Sequence, residues 1–154
     1  MGINTKLMIR QATEGEGRRI SDLVGAAYGK YIARIGRPPL PMLDDYPALI
    51  ACGVVWVLVQ GAEVVGVLVL REEGDHLLLE NIAVEPRHQG QGFRSKLLDF
   101  VEEEARSRGL GEIRLYTNEA MVENIAIYEK WGYRETSRES GNYNRVFLAK
   151  PVRG

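Results

Sequence analysis

The stretch from His76 to Gly109 constrains the fold more than any other part of the chain. It reads as an apolar strand (HLLLENIAVEP), a glycine-bearing turn (RHQGQGF) and an amphipathic helix (RSKLLDFVEEEARSRG). A strand that feeds a helix through such a turn gathers backbone N–H groups at the helix start. Those groups have no acceptor inside the helix, and the helix dipole adds partial positive charge there. The arrangement suits a phosphate or pyrophosphate. An α/β architecture is therefore expected, with a phosphate-bearing ligand at this junction.

Three loop types compete for the turn. A P-loop requires G-x-x-x-x-G-K-[ST], but Gly92 is followed by Phe93 and Arg94. The dinucleotide fingerprint G-x-G-x-x-G begins well with Gly90 and Gly92, but Ser95 stands at the third glycine position. A bare G-x-G is also compatible with a plain strand-to-helix turn. The whole string resembles the acyl-coenzyme A loop of the GNAT superfamily of N-acetyltransferases, [Q/R]-x-x-G-x-[G/A] after a strand ending in an apolar-Ala-Val run. Two registers fit. Arg87-x-x-Gly90-x-Gly92 matches in full, while Gln89-x-x-Gly92-x-Arg94 places Leu97 and Leu98 at the family's apolar pair. In the second register, which we prefer, Arg94 replaces a small residue. Glycine tolerates backbone angles that arginine does not, so the exchange bears on loop geometry. It also sets a cation beside the expected pyrophosphate.

A second segment agrees. Ile113 to Asn118 (IRLYTN) reads as a strand and Asn124 to Trp131 (NIAIYEKW) as a helix, closed by Gly132 as a C′ residue. The resemblance extends to an Asn, a Tyr four residues later and an aromatic-Gly-aromatic close: Asn124, Tyr128, Trp131, Gly132 and Tyr133. At spacing i, i+4, Asn124 and Tyr128 share one helix face. Alone, Asn124 also suits a helix cap, and Tyr128 a packed tyrosine with its hydroxyl at the surface.

Composition narrows the class. A chain of 154 residues predicts a single domain over 1–154. Twenty basic against 21 acidic residues leave a net charge of −1, so no bulk field points to nucleic acid or membrane. The lone cysteine, Cys52, cannot form an internal disulfide and is expected to be a small buried hydrophobe. Two histidines and one cysteine make no case for a metal site. No signal peptide is evident, and the longest apolar run, Gly53 to Val59, falls far short of the ~20 residues that span a bilayer. A cytoplasmic location is expected.

Along the chain, Lys6 to Thr13 reads as a first strand. Glu14 to about Ile35 is mostly helical, with Ile20, Leu23, Val24, Ala27, Tyr28 and Tyr31 near helical spacing. Gly25 and Gly29 are places where it can split. Gly36 to Pro41 contains three prolines and cannot be regular structure. Asp44 to Ala51 reads as a short helix. Val54 to Gln60 and Glu63 to Arg71 form a hairpin around Gly61-Ala62. Leu77 to Val84 is the next strand, and Arg134 to Glu139 with Asn144 to Ala149 make a last hairpin. The order β-α-α-β-β-β-α-β-α-β-β resembles the superfamily nearly end to end. The resemblance implies a mixed, mostly antiparallel sheet flanked by helices and splayed between the fourth and fifth strands.

The resemblance also implies acetyl-CoA as cosubstrate and direct attack of a primary amine on the thioester. The amine would belong to a small molecule, an amino acid, or a protein N-terminus or lysine. Cofactor contacts are then expected from Ile82, Ala83, Val84, Gln89, Gly90, Gln91, Gly92, Phe93, Arg94, Ser95, Asn118, Asn124, Ile127 and Tyr128. Tyr128 is the expected acid for the leaving thiolate, since a phenol near pKa ~10 matches a thiolate well. Glu80 is the expected base, directly or through water, on the strand face opposite Leu79 and Asn81. Pairing of Glu80 with an arginine is the competing role. Tyr28, Tyr31, Asp45 and Tyr46 are candidate substrate contacts, with Arg34, Arg37 and Asp44 in the same region. Val146-Phe-Leu is a candidate for strand pairing in a homodimer. The competing function is a non-catalytic acyl-CoA-binding module or sensor.

Overall fold

The computed structural model describes residues 6–153. The first strand is Leu7–Gln11 (β1), shorter than expected. Helix α1 (Gly17–Tyr28) ends where Gly29 starts a tighter 3-10 turn, and a single further helical turn, α2, covers Ile32–Ile35. The predicted split therefore falls at Gly29, not Gly25. Leu40–Leu43 is another 3-10 turn inside the proline segment, and α3 covers Tyr46–Ala51. Then follow β2 (Val55–Gln60), β3 (Glu63–Glu73), β4 (His76–Val84), α4 (Phe93–Ser107), β5 (Glu112–Asn118), α5 (Val122–Lys130), β6 (Arg134–Glu139) and β7 (Arg145–Pro151).

The seven strands form one sheet in the order β1-β2-β3-β4-β5-β7-β6. All neighbours are antiparallel except β4 and β5. The sheet is covered on both faces, so its central strands are apolar on both. Leu58, Leu68, Leu70, Leu77 and Leu79 pack with Phe93, Leu97, Leu98 and Val101 of α4. Val55, Val57, Val67 and Val69 pack with Ile20, Leu23 and Val24 of α1. The helical spacing read from α1 is thus the spacing of a buried stripe, each such side chain contributing about 1.5–3 kcal/mol by leaving water.

Two irregularities in β4 position the site. Its parallel pairing with β5 runs only from His76–Glu112 to Leu79–Leu115. Beyond that point the strands part, as expected, and β4 continues to Val84 with its edge toward β5 unpaired. The second irregularity is a bulge: Val69 pairs with Asn81 and Leu70 with Leu79, leaving Glu80 as the extra residue. Simple alternation fails there. Leu79 packs under α4, but Asn81 bonds to Tyr28 and Tyr46 on the other face. Glu80 is therefore opposite Leu79 but not opposite Asn81, which corrects the expectation from alternation.

Two further expectations are corrected. Cys52 is exposed at the C-terminus of α3, because the helix ends there at the surface. β7 is paired on both sides, with β5 and with β6, so its backbone offers no free edge for a dimer strand. Val146 and Leu148 are buried in this chain's own core. Among the described residues, no helix is long and apolar enough to cross a membrane.

Candidate active site

The turn between β4 and α4 is built as its sequence suggests. Gly90 and Gly92 have φ of 86° and 80°, the left-handed region that glycine enters without a Cβ penalty. A Cβ at either would meet nothing within 4 Å, so the glycines answer a conformational need and leave space over the loop. Arg94 lies inside α4 and has no positive φ, so the exchange of a small residue for arginine strains nothing. Gly92 is the N-cap of α4 and provides no side-chain cap. The first helical bond runs from Lys96 N–H to Gly92 O at 3.2 Å. The N–H groups of Phe93, Arg94 and Ser95 thus have no helical acceptor, and no acidic residue occupies the first turn.

A cavity of about 890 Å³ lies against this turn. Its walls include Ile82, Ala83 and Val84 on the unpaired edge of β4, then Gln89, Gly90, Gly92, Phe93, Arg94 and Ser95, and Asn124 and Ile127 across on α5. The predicted loop and helix contacts are therefore brought together. Gln91 is exposed and lines no cavity. Lys30, His88, Lys130 and Trp131 also border the cavity, and sequence reading missed them. Lys30 and Lys130 lie three positions after Ala27 and Ile127, a spacing that marks a shared helix face. His88 has its Nε2 3.2 Å from Glu63 Oε1 and its ring 5.7 Å from that of Phe93.

A second, smaller cavity of about 80 Å³ adjoins the first, with Tyr28, Ile82 and Asn124 bordering both. It holds Tyr128, Glu80, Asp44, Tyr116, Asn118, Tyr143 and Arg145. Tyr128 and Asn118 thus face this cavity rather than the larger one. The Asn118 side chain is also occupied, its Oδ1 accepting from Ala120 N–H at 2.8 Å at the entry to α5. Asn124 is buried within the first turn of α5, whose cap is Met121, so it is not the capping residue.

Burial raises the Tyr128 phenol above its ordinary range, and the Arg94 guanidinium opposes the shift. Tyr128 therefore stays protonated at neutral pH. Glu80 Oε2 accepts from Arg71 Nε at 3.0 Å, so the arginine pairing anticipated for Glu80 is present. Asp44 stands at the mouth of the small cavity. Its carboxyl is pushed up by burial and by the charge of Glu80, with Arg71 opposing.

The remaining candidates separate. Tyr28 is buried, and its hydroxyl shares one proton between Asn81 Oδ1 at 2.8 Å and Ile82 O at 2.7 Å. Tyr46 is also buried: its hydroxyl donates to Pro41 O at 2.6 Å and accepts from Asn81 Nδ2 at 2.9 Å. Burial drives both phenols far upward, so they act as neutral donors. Tyr31 borders the large cavity beneath Lys30 and Arg34, whose cationic groups each lie 5.1 Å from its ring centre. Asp45 points away from both cavities and caps α3, accepting from Ala48 N–H at 3.2 Å.

The proline segment, which follows α2, forms a strap along the small cavity through Pro39, Leu40 and Pro41. The Tyr143 hydroxyl, between β6 and β7, donates to Pro38 O at 2.6 Å, and Arg37 lies 5.3 Å from the Tyr143 ring centre. Arg34 of α2 forks onto Glu123 of α5 at 2.6 and 2.9 Å. That fork holds the Glu123 carboxyl down at about 2.

Comparison with known proteins completes the picture. The [Ribosomal protein bS18]-alanine N-acetyltransferase of Escherichia coli (strain K12) is 29% identical over 85 residues, covering 51% of this chain and 57% of that protein. N-acetyltransferase family 8 member 2 of Rattus norvegicus is 31% identical over 110 residues, covering 68% of this chain and 46% of that protein. The chain thus spans about half the length of these curated relatives. The crystal structure of the PaiA N-acetyltransferase of Thermoplasma acidophilum in complex with coenzyme A superposes with a TM-score of 0.81, covering 96% of this chain and 99% of that one. At 14% identity that likeness is one of fold. Residues 22–133, which include β4, the glycine turn, α4, β5 and α5, match the profile of the Acetyltransferase (GNAT) family, and the chain belongs to that family.

Proposed function

We propose that this chain is an acetyl-CoA-dependent N-acetyltransferase that acetylates a primary amine by direct attack within a ternary complex. One observation carries the reading. The gap where β4 leaves β5 joins an uncapped helix N-terminus at one end to a protonated, buried Tyr128 at the other. The unpaired N–H groups at the start of α4 suit the pyrophosphate of coenzyme A, with Lys30 and Lys130 at the rim adding charge for its phosphates. The unpaired edge of β4 at Ile82 to Val84 suits the extended pantetheine arm. The coenzyme A held by the Thermoplasma acidophilum structure supports the donor class, and the alanine acceptor of the Escherichia coli relative supports the amine class.

The residues divide the chemistry. The amine lone pair forms the C–N bond and the C–S bond breaks. Tyr128 gives its proton to the departing thiolate. The amine proton passes to Glu80, directly or through water, and solvent returns a proton to Tyr128. Arg71 holds Oε2 of Glu80, so Oε1 is the acceptor this reading uses.

The test is calorimetric titration of the purified protein with acetyl-CoA, CoA and NAD, followed by an amine panel with thiol-release detection. Micromolar binding of the CoA species alone, with amine-dependent thiol release, is expected. Absence of CoA binding would overturn the reading.

A further inference from the structure

Arg94 occupies a position where the loop pattern has a small residue, and its side chain is not used as the pattern would suggest. The guanidinium turns inward from the first turn of α4. It stands in the wall of the larger cavity, and its charge acts on the phenol of Tyr28, which borders both cavities, and on that of Tyr128 in the smaller one. Its Nη1 is buried without a hydrogen-bond partner, and among the described residues no carboxylate pairs with it. A buried donor left unmade is costly, and more so on a charged group. Such a donor inside a binding cleft is explained if a ligand oxygen completes it.

The identity of that oxygen follows from position. The free N–H groups at the start of α4 suit an outer phosphate. Arg94 instead reaches the phenol that faces the reacting end. We propose that Arg94 is a catalytic residue whose Nη1 donates to the thioester carbonyl oxygen and holds the negative charge that develops there during amine attack. The inference rests on the acetyl-transfer reading above. The carbonyl oxygen gains charge as the C–N bond forms and loses it as the C–S bond breaks. The departing thiolate takes the Tyr128 proton, and Arg94 gives up none. Donors aimed at developing charge in a dry site commonly account for about 10²–10³-fold in rate.

The titratable groups facing Tyr128 are Arg94 from α4, Tyr28 from α1, Tyr31 from the following turn and Tyr133 beyond α5, and around the small cavity Asp44, Glu80 of β4, Tyr116 of β5 and Arg145 of β7. Among them, the Arg94 guanidinium is the one that draws the phenol downward. Its removal should therefore let the phenol titrate higher.

The test compares Arg94→Ala, Arg94→Lys and the parent protein. CoA affinity is read by calorimetry, and kcat, KM and their pH dependence by thiol release. With the parent binding CoA, Arg94→Ala should keep its affinity within about threefold and lose kcat by about 10²-fold, as for a donor engaged mainly in the transition state. Arg94→Lys should recover part of the loss, and the alkaline limb of kcat should move upward in Arg94→Ala. The melting temperature should fall only slightly, since the protein itself loses an interaction with two phenols and no ion pair. Weakened CoA binding with unchanged kcat would overturn the proposal by making Arg94 a phosphate ligand. Tighter CoA binding with equal or higher kcat would overturn it by making the side chain an obstruction. A lower melting temperature in both variants, with kcat falling only in proportion to unfolded protein, would make it structural. Failure of the parent protein itself to bind CoA overturns the acetyl-transfer reading, and the Arg94 proposal with it.

Discussion

The two cavities that meet at Tyr28, Ile82 and Asn124 are built by different means. The larger draws most of its wall from two nearly contiguous stretches, 82–84 and 88–95, and offers main-chain groups at a helix start and a strand edge. The smaller is assembled from side chains scattered between Tyr28 and Arg145, and a strap latched to distant parts of the chain runs along it. Main-chain groups bind whatever the side chains are, provided the backbone angles hold. Side chains choose. On the proposed function, the donor half can therefore stay constant while the acceptor half changes its substrate.

That division can be broken experimentally, most forcefully at the loop. Gly92→Glu should abolish measurable CoA binding, because a left-handed backbone and an added carboxylate both act at the helix start. Gly92→Ala, which adds only the backbone strain of about 1 kcal/mol, should weaken binding far less. Calorimetry that finds Gly92→Glu binding normally would remove the main-chain account of the donor half.

Next in size is Tyr128→Phe, expected to lower kcat by about 10²-fold with CoA affinity nearly unchanged. Equal turnover would reduce Tyr128 to packing. Smaller still is Asp44→Asn, expected to raise the acceptor KM by about tenfold for a cationic amine while sparing CoA, as for loss of one charge-assisted contact. An effect on CoA and none on the amine would dissolve the distinction between the two halves.

The smallest effect is expected at the strap. Glu123→Gln should change the acceptor KM by only about twofold, since an exposed ion pair contributes little. The sign with pH is fixed. The Glu123 carboxyl is held at about 2, below its ordinary range, so the Arg34 fork is intact above that range and is lost only as pH falls toward about 2. Any loss of activity between pH 5 and 9 must then persist unchanged in Glu123→Gln. A profile that shifts in the variant would show that the strap does more than line the small cavity.

Legibility in the sequence followed the same boundary. The strand–glycine–helix unit could be read because its function resides in consecutive residues and in angles only glycine takes. The splay of β4 from β5 came through the family resemblance, not from periodicity. The bulge at Glu80 was invisible, since alternation assumes one partner per residue, and between the pairs made by Leu79 and Asn81 the strand carries one residue more than β3 does. Proximity along the chain suggests Asp45 and Tyr46 as substrate contacts, but a helix cap and a buried network claim them. The Tyr143 latch to Pro38 joins residues far apart in sequence, and no local pattern marks such a contact.

The extra residue in β4 has a consequence for how this strand can vary. A strand is a two-phase lattice, and Glu80 is a phase slip: Leu77 and Leu79 belong to one phase, Asn81 and Ala83 to the other. Losing the one codon for Glu80 would restore a uniform lattice, with Asn81 following Leu79 on the opposite face and every later side chain keeping its own. The Asn81 bonds to Tyr28 and Tyr46 would survive, and what would go is the Glu80 carboxylate with its bond to Arg71. Loss of a residue elsewhere in the strand would instead set one part of it on the wrong face, so the slip is where β4 can shorten and keep its two faces.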